Sequence, residues 1–446
     1  MPKSKTVYIC QSCGHEQAKW SGRCPQCQEW NSFAETTLRS GPSSTPVTSG
    51  SSPIRLSSAT SPAAARLQTG ISEFDRTLGG GIVPGSVILL AGEPGVGKST
   101  LLLQLASSLS TLPTLYVSGE ESSSQLKLRA DRLGIETGNI QVLAETNVDS
   151  LISLITPNSP KTLNSLIIID SVQTLTTQDS LSASGGYAPA GTISQVRECS
   201  QRLAQVAKAQ NIPLILVGHV TKEGSIAGPK ILEHMVDVVL YLEGDKFHSF
   251  RLLRAKKNRY GSDQEVGVFA MGERGLQEVK NPSDAFLSER LTSAPGSVVT
   301  ATMEGTRPVL VEIQALATST TLAYPRRTAS GFDYNRLNLL IAVLQKHLKI
   351  SLQNKDVYVN VASGFRVTEP AVDLAAALAI ISSVRDKAID PSTCVFGEVG
   401  LSGEVRKVSQ SDRRTREAEK LGFTKIISPE TVRSVAAAVA AARKVS

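Results

Sequence analysis

The sequence predicts an α/β fold, with a parallel sheet covered by helices at its centre, and three observations carry that prediction. Short apolar runs alternate with helix-like stretches from residue 87 onward, the pattern of strand–helix–strand units whose strands are buried on both faces. Gly92-Glu93-Pro94-Gly95-Val96-Gly97-Lys98-Ser99 fits the G-x-x-x-x-G-K-[ST] loop at every fixed position, between an apolar strand and a leucine-rich helix. Leu166-Ile167-Ile168-Ile169-Asp170 is an apolar strand closed by a carboxylate, the second acidic motif expected of a sheet built around such a loop.

A chain of 446 residues exceeds one ordinary core, and its 41% hydrophobic content is that of a globular protein, so two or three domains are expected. Residues 1–35 come first. Four of the six cysteines lie here, as Cys10-x-x-Cys13 and Cys24-x-x-Cys27. Two such knuckles present four thiolates tetrahedrally to structural zinc, and a segment too small for a core gains its folding energy from the metal. A redox pair of dithiols is the alternative. Trp20 and Trp30 are read as covering this ribbon in preference to stacking on bases.

Residues 36–65 are rich in Ser, Thr, Pro, Ala and Gly and nearly free of large apolar side chains, which makes them a flexible tether. Residues 66–284 form the main α/β domain, with strands at Val87–Ala91, Leu115–Ser118, Leu166–Ile169, Pro213–Val217 and Val236–Leu242. Between them, Val196, Cys199, Leu203 and Val206 recur at helical spacing on one face of a helix over residues 194–209. After a turn at Asn281-Pro282-Ser283-Asp284 a second domain occupies residues 285–446. It has strands at Val309–Ala315, Val357–Val361 and Thr393–Phe396, a helix over 333–349 and an alanine-rich helix after Pro370.

The chemistry concentrates in the middle domain. Successive backbone N–H groups of Gly92, Glu93, Pro94, Gly95, Val96 and Gly97 (proline excepted) curl around phosphates, and the following leucine-rich helix, over Thr100–Leu109, points its positive end at them. Lys98 is expected to reach the β- and γ-phosphates of ATP, and Ser99 and Asp170 to hold Mg²⁺. In Tyr116-Val117-Ser118-Gly119-Glu120-Glu121, Glu120 is assigned to polarise the attacking water, with Glu121 as second choice. His219 and Lys222, after another buried strand, are candidate γ-phosphate sensors. Lys256-Lys257-Asn258-Arg259-Tyr260-Gly261 gathers cations beside an aromatic ring. Lys257 and Arg259 are expected to contact either nucleic acid phosphates or a neighbouring subunit's nucleotide, a solvated basic hairpin turn being the alternative. The formal charge of +7 mildly favours polyanionic partners. No apolar run is long enough to cross a bilayer and residues 1–9 lack the apolar centre of a secretory signal, so a cytoplasmic protein is expected.

In this order the zinc ribbon, GEPGVGKST and the pentapeptide Lys257–Gly261 resemble the RadA (Sms) family of bacterial DNA repair proteins, over nearly the full chain. The resemblance implies a RecA-like ATPase core, a C-terminal domain similar to the Lon protease domain, and a homo-hexameric ring. That ring would bind single-stranded and branched DNA and drive strand exchange or branch migration. It also implies a recombinase or replication protein as partner of the zinc ribbon. Tyr260 stands where the family usually has Phe. At the serine–lysine pair of Lon proteases this chain has Ala371 and, at about the lysine position, Asp412. The C-terminal domain is therefore expected to be a non-proteolytic scaffold, with Arg307, Arg326, Arg327 and Arg385 as possible contributors to DNA contact. An ATP-dependent protease and a signalling ATPase that moves no DNA are the rival functions.

Overall fold

The computed structural model describes residues 4–10, 15–39, 66–155, 166–177, 190–219, 229–244, 250–322, 324–362 and 366–442. Cys13, the tether beyond residue 39, residues 178–189 of the loop after the Asp170 strand, and Lys222 lie outside them. The chain divides into two compact units, Met1–Glu278 and Val279–Ser446.

The N-terminal segment is a three-stranded antiparallel sheet in the order β2-β1-β3, formed by β1 (Ser4–Cys10), β2 (Glu16–Gln17) and β3 (Phe33–Arg39). Cys10, Cys24 and Phe33, with Tyr8 against them, are its whole apolar centre among the described residues. Trp20 and Trp30 do not cover it: they are 55% and 69% exposed.

The rest of the first unit contains α1 (Ser72–Thr77), β4 (Val87–Gly92), α2 (Lys98–Ser108), β5 (Thr114–Ser118), α3 (Ser123–Leu133), β6 (Ile140–Leu143), α4 (Val148–Ile155) and β7 (Leu166–Asp170). It continues through α5 (Ile193–Ala209), β8 (Leu214–His219), α6 (Pro229–Met235), β9 (Val238–Glu243), β10 (Phe250–Asn258), β11 (Val266–Gly272) and β12 (Gly275–Glu278). The strands make a nine-stranded sheet in the order β12-β11-β10-β9-β4-β8-β7-β5-β6. From β9 to β6 every pairing is parallel.

The residues of β4 alternate between two cores because strand side chains alternate between faces. Ile88 and Leu90 join Leu101, Leu102 and Leu105 of α2 on one side. Val87, Leu89 and Ala91 join Leu151 of α4 and Val196, Cys199 and Leu203 of α5 on the other. Burial pushes the Cys199 thiol up to about 12, which fits the core position that its helical spacing predicts. The sheet is not parallel throughout, as the sequence reading had it: β10, β11 and β12 extend it by antiparallel pairings. The links between these strands are too short for a crossover helix, so each strand must turn back on the last.

The second unit comprises α7 (Pro282–Leu287), β13 (Ser297–Glu304), β14 (Arg307–Ser319), β15 (Arg327–Ser330), α8 (Tyr334–Leu348) and β16 (Lys355–Val361). Then follow α9 (Asp373–Arg385), β17 (Thr393–Val395), the β18 (Glu398–Val399) and β19 (Val405–Arg406) ribbon, α10 (Ser411–Lys420), β20 (Lys425–Ile427) and α11 (Val435–Ala441). Its mixed six-stranded sheet runs β15-β16-β14-β13-β17-β20. The segment read from sequence as a turn at Asn281–Asp284 is a helix start, with Asn281 capping and Pro282 in the first turn, the placement that suits a residue without an N–H.

Arg414 organises this unit. Its side chain is fully buried and lies against the Glu369 carboxylate through two bonds, 2.7 Å and 2.6 Å, while also donating to the Ala301 carbonyl at 2.6 Å and the Ser409 carbonyl at 3.0 Å. Glu369 in turn accepts from the Thr302 hydroxyl and the Met303 N–H, each at 2.7 Å. One ion pair thus ties α10, β13 and the entrance to α9 together. Replacing Glu369 with Ala leaves the guanidinium buried without its counter-charge, a loss of about 3–5 kcal/mol. Denaturant unfolding followed by circular dichroism should show a lowered midpoint for the transition of the second unit, and an unchanged midpoint would exclude this role for the pair.

Candidate nucleotide site and metal ribbon

Parallel pairing aligns the C-terminal ends of neighbouring strands. Gly92 of β4 pairs with His219 of β8, and Ser118 of β5 pairs with Asp170 of β7. The phosphate loop, the two acids and the histidine are therefore delivered to one edge of the sheet, where β4 lies between strands reached by connections on either side, the position at which open α/β sheets bind ligands.

Glu93, Pro94 and Gly95 are exposed, whereas Gly92, Val96 and Lys98 are buried and Gly97, Ser99 and Thr100 half-buried. Gly97 has φ +115, and a Cβ there would stand 2.8 Å from the Met271 side chain and 3.4 Å from that of Leu276, so the loop needs glycine for both conformation and space. The Lys98 ammonium folds back on its own loop, donating to the carbonyls of Gly92 at 2.8 Å and Glu93 at 3.0 Å. Burial pulls its pKa down to about 8, opposed by the charges of Asp170 and Glu120. Those two carboxylates therefore lie within electrostatic reach of the amine.

Asp170 is buried at the end of β7 and accepts a 2.6 Å hydrogen bond on Oδ2 from the hydroxyl of Tyr116, itself fully buried. Desolvation, followed by the neighbouring Asp170 charge, pushes the Tyr116 phenol up, so it remains a donor. Glu120 and Glu121 diverge. The Glu120 carboxylate, half-exposed, accepts the Ser171 hydroxyl at 2.6 Å and lies 3.3 Å from His219 Nε2, while Glu121 pairs with Arg129 on α3. Only Glu120 faces the edge that carries Lys98 and Asp170. Gly119 permits this approach, since a Cβ there would overlap Thr174 Oγ1 at 1.9 Å. Tyr116 and Ser171 went unrecognised in the sequence; the adjacency of Ser171 to Asp170 was the one available signal for either.

Lys257 and Arg259 are not part of this edge. The Lys257 amine donates to the carbonyls of Glu233 and, at 2.8 Å, Val236. Arg259 Nη1 meets Asp237 Oδ1 at 3.1 Å. Asp237 also accepts the Val87 N–H at 3.1 Å and the Lys208 amine at 2.9 Å, which fixes the start of β4. The pentapeptide thus sits at the opposite end of β4 from Gly92, roughly 17 Å of strand away. Their bonds run to Glu233, Val236 and Asp237 and not to the groups around Lys98.

In the N-terminal segment the sulfurs of Cys10, Cys24 and Cys27 lie within 4.8 Å of one another, and Cys10 and Cys24 are buried. Backbone bonds from Cys10 N to the His15 carbonyl and from Cys24 N to the Glu29 carbonyl, both 2.9 Å, hold the two knuckles. Three converging sulfur donors fit a structural zinc site.

In the second unit Ala371 is buried in the short turn before α9, its carbonyl accepting the Gly397 N–H at 2.6 Å. Asp412 is exposed in the first turn of α10. The Arg327 guanidinium is taken up by backbone carbonyls, including that of Leu352 at 2.8 Å. Arg307 donates to the Lys280 carbonyl at 3.0 Å, and Arg385 is exposed. Among the described residues no helix is long and apolar enough to cross a membrane.

A glycine loop joining a central parallel strand to a helix, with one acid at the end of a neighbouring strand and another just beyond the next, defines a P-loop ATPase domain of RecA type. The ATPase model of the KaiC family matches residues 67–276, the rubredoxin metal binding domain model residues 8–35, and the model for subunit ChlI of Mg-chelatase residues 337–432. The DNA repair proteins RadA of Bacillus subtilis and Halalkalibacterium halodurans are each 50% identical to this chain over 437 residues, covering 96% of it and 93% of themselves; that of Listeria monocytogenes is 48% identical over 433 residues, with the same coverage. The chain belongs to the DNA repair protein RadA family. Among solved structures, a KaiC-like protein from Pyrococcus horikoshii aligns with 48% of this chain and 99% of its own, at 22% identity and a TM-score of 0.40.

Lys98→Ala removes the loop's cation and should abolish ATP hydrolysis, measured as phosphate release; normal turnover in this variant would contradict the assignment. Cys27→Ser should release zinc and unfold the ribbon, read by metal content and limited proteolysis, with ATP binding retained.

Proposed function

We propose that this protein is an ATP-driven DNA motor that promotes strand exchange and branch migration on recombination intermediates, working as a homo-hexameric ring. The observation that carries the proposal is the meeting of Lys98, Asp170, Glu120 and His219 at one sheet edge beside an exposed glycine loop. In this reading Lys98 leaves the carbonyls of Gly92 and Glu93 for the β- and γ-phosphates, exchanging two neutral acceptors for anionic ones. Ser99 and Asp170 would hold Mg²⁺, which would supply positive charge beside the phosphates. Glu120, oriented by Ser171 and His219, takes the proton of the attacking water. His219 passes the loss of the γ-phosphate to the segment that follows it.

Placing Lys257 and Arg259 far from their own phosphate loop supports a role at a neighbouring subunit's nucleotide or on DNA, which a ring satisfies. The absence of a hydroxyl at Ala371 supports a non-proteolytic second domain, since no nucleophile stands at the position of the Lon serine. Family membership, with relatives named for DNA repair, supports DNA as the substrate.

ATP turnover measured with and without single-stranded DNA across a salt series tests the proposal. Stimulation that fades as salt rises is the expected result, because phosphate contacts release counterions; turnover indifferent to DNA at every salt concentration would defeat it. Arg259→Ala should keep ATP affinity and lose the stimulation, and a fall in affinity as large as that of Lys98→Ala would show that its role is not confined to coupling.

A further inference from the structure

The chain has two tryptophans in 446 residues, and both stand on the surface of the ribbon. Tryptophan is usually well covered even where it is not fully buried. Here Trp20 is 55% and Trp30 69% exposed, beside a ribbon core made of other residues. The two indoles flank one residue: a Cβ on Gly22 would lie 3.7 Å from Trp20 Cη2 and 3.8 Å from Trp30 Cζ3.

The patch is held in shape before any partner arrives. Asn31 N donates to the Gly22 carbonyl at 2.8 Å, and Arg23 and Trp30 face each other in a β-bridge. Gln17 donates to the Ser21 hydroxyl at 2.8 Å, which donates to the Arg23 carbonyl at 2.9 Å. The Arg23 guanidinium stands 5.7 Å from the centre of the Trp30 ring and is pinned by two bonds to Gln28, Nε to the carbonyl at 2.9 Å and Nη2 to Oε1 at 2.7 Å. Lys19, exposed, precedes Trp20.

Two rings set among Lys19, Ser21, Arg23, Gln28 and Asn31 are a poor match for the continuous apolar face that a protein partner of this size would bury. They suit a ligand that offers flat π-faces joined by anions. Resting on the DNA reading above, we propose that Trp20 and Trp30 form a base-stacking platform for single-stranded nucleic acid, with Arg23 and Lys19 meeting the phosphates.

The chain's tryptophan emission comes from these two residues alone, so the platform reports on itself. Full-length protein is titrated with oligo(dT) while intrinsic fluorescence and the anisotropy of a labelled oligomer are followed together. Quenching that saturates in step with anisotropy is expected, and an abasic oligomer of the same length should quench far less. Trp30→Ala should weaken binding about 5- to 150-fold, the range for loss of one stacked base, with zinc content and basal ATP turnover unchanged. Trp30→Phe, which keeps a ring, should restore most of that loss, and Arg23→Gln should flatten the salt dependence by about one phosphate contact.

Saturating anisotropy with tryptophan emission unmoved would overturn the platform and leave DNA binding intact. No anisotropy change at low salt would overturn both. Emission that responds to a recombination protein and not to oligo(dT) would identify the patch as a protein-docking surface, and the proposal would fall.

Discussion

The parallel pairing of β4 with β8 and β9 is the constraint on which the nucleotide site depends. Strands that run together end together, so the pairings Gly92 with His219 and Ser118 with Asp170 place four chemically distinct groups on one edge. Each strand is buried on both faces, and slipping any of them by one residue would turn its apolar side chains into the wrong core. The apolar alternation that holds the sheet together also sets the register of the chemistry.

Around that edge the side chains are prepositioned by bonds, some within the loop and some spanning more than fifty residues of sequence. Tyr116 orients Asp170, Ser171 and His219 orient Glu120, and two loop carbonyls hold Lys98. Arg251, buried on β10, donates to the Val96 carbonyl at 3.2 Å. Met271 and Leu276 close against Gly97, and Gln104 of α2 is stitched to Leu276 by two bonds, 2.9 Å and 3.1 Å. The antiparallel strands β10, β11 and β12 therefore wall the phosphate loop on one side. At its far end β10 also carries Lys257 and Asn258, directly ahead of Arg259. One strand thus touches the loop at Arg251 and leads into the pentapeptide cluster.

Both ends of the chain use a polar solution where a larger core would use apolar packing. The ribbon gathers cysteine sulfurs at its centre and leaves its indoles outside. The second unit buries Arg414 and satisfies it through Glu369 and backbone carbonyls. In each, a few strong directional contacts fix a geometry that apolar area alone would leave underspecified.

The sequence by itself determined what is local. The glycine loop, the strand ending in Asp170 and the cysteine knuckles are each chemistry written in consecutive or nearly consecutive residues, and strand alternation reveals burial because it has a fixed period. It did not reveal the antiparallel extension or the exposed indoles, it took the locally capped helix start at Asn281 for a turn, and it ranked Glu120 over Glu121 without the contacts that separate them. The contacts that separate the two acids lie outside their motif: Thr174 crowds Gly119, Arg129 draws Glu121 away, and Ser171 and His219 hold Glu120; the reach of Arg414 back to Glu369 is equally non-local. Only the tertiary structure decided that Lys257 and Arg259 stand at the other end of the sheet from Lys98. Strand direction and pairing order, which no short motif encodes, set that separation.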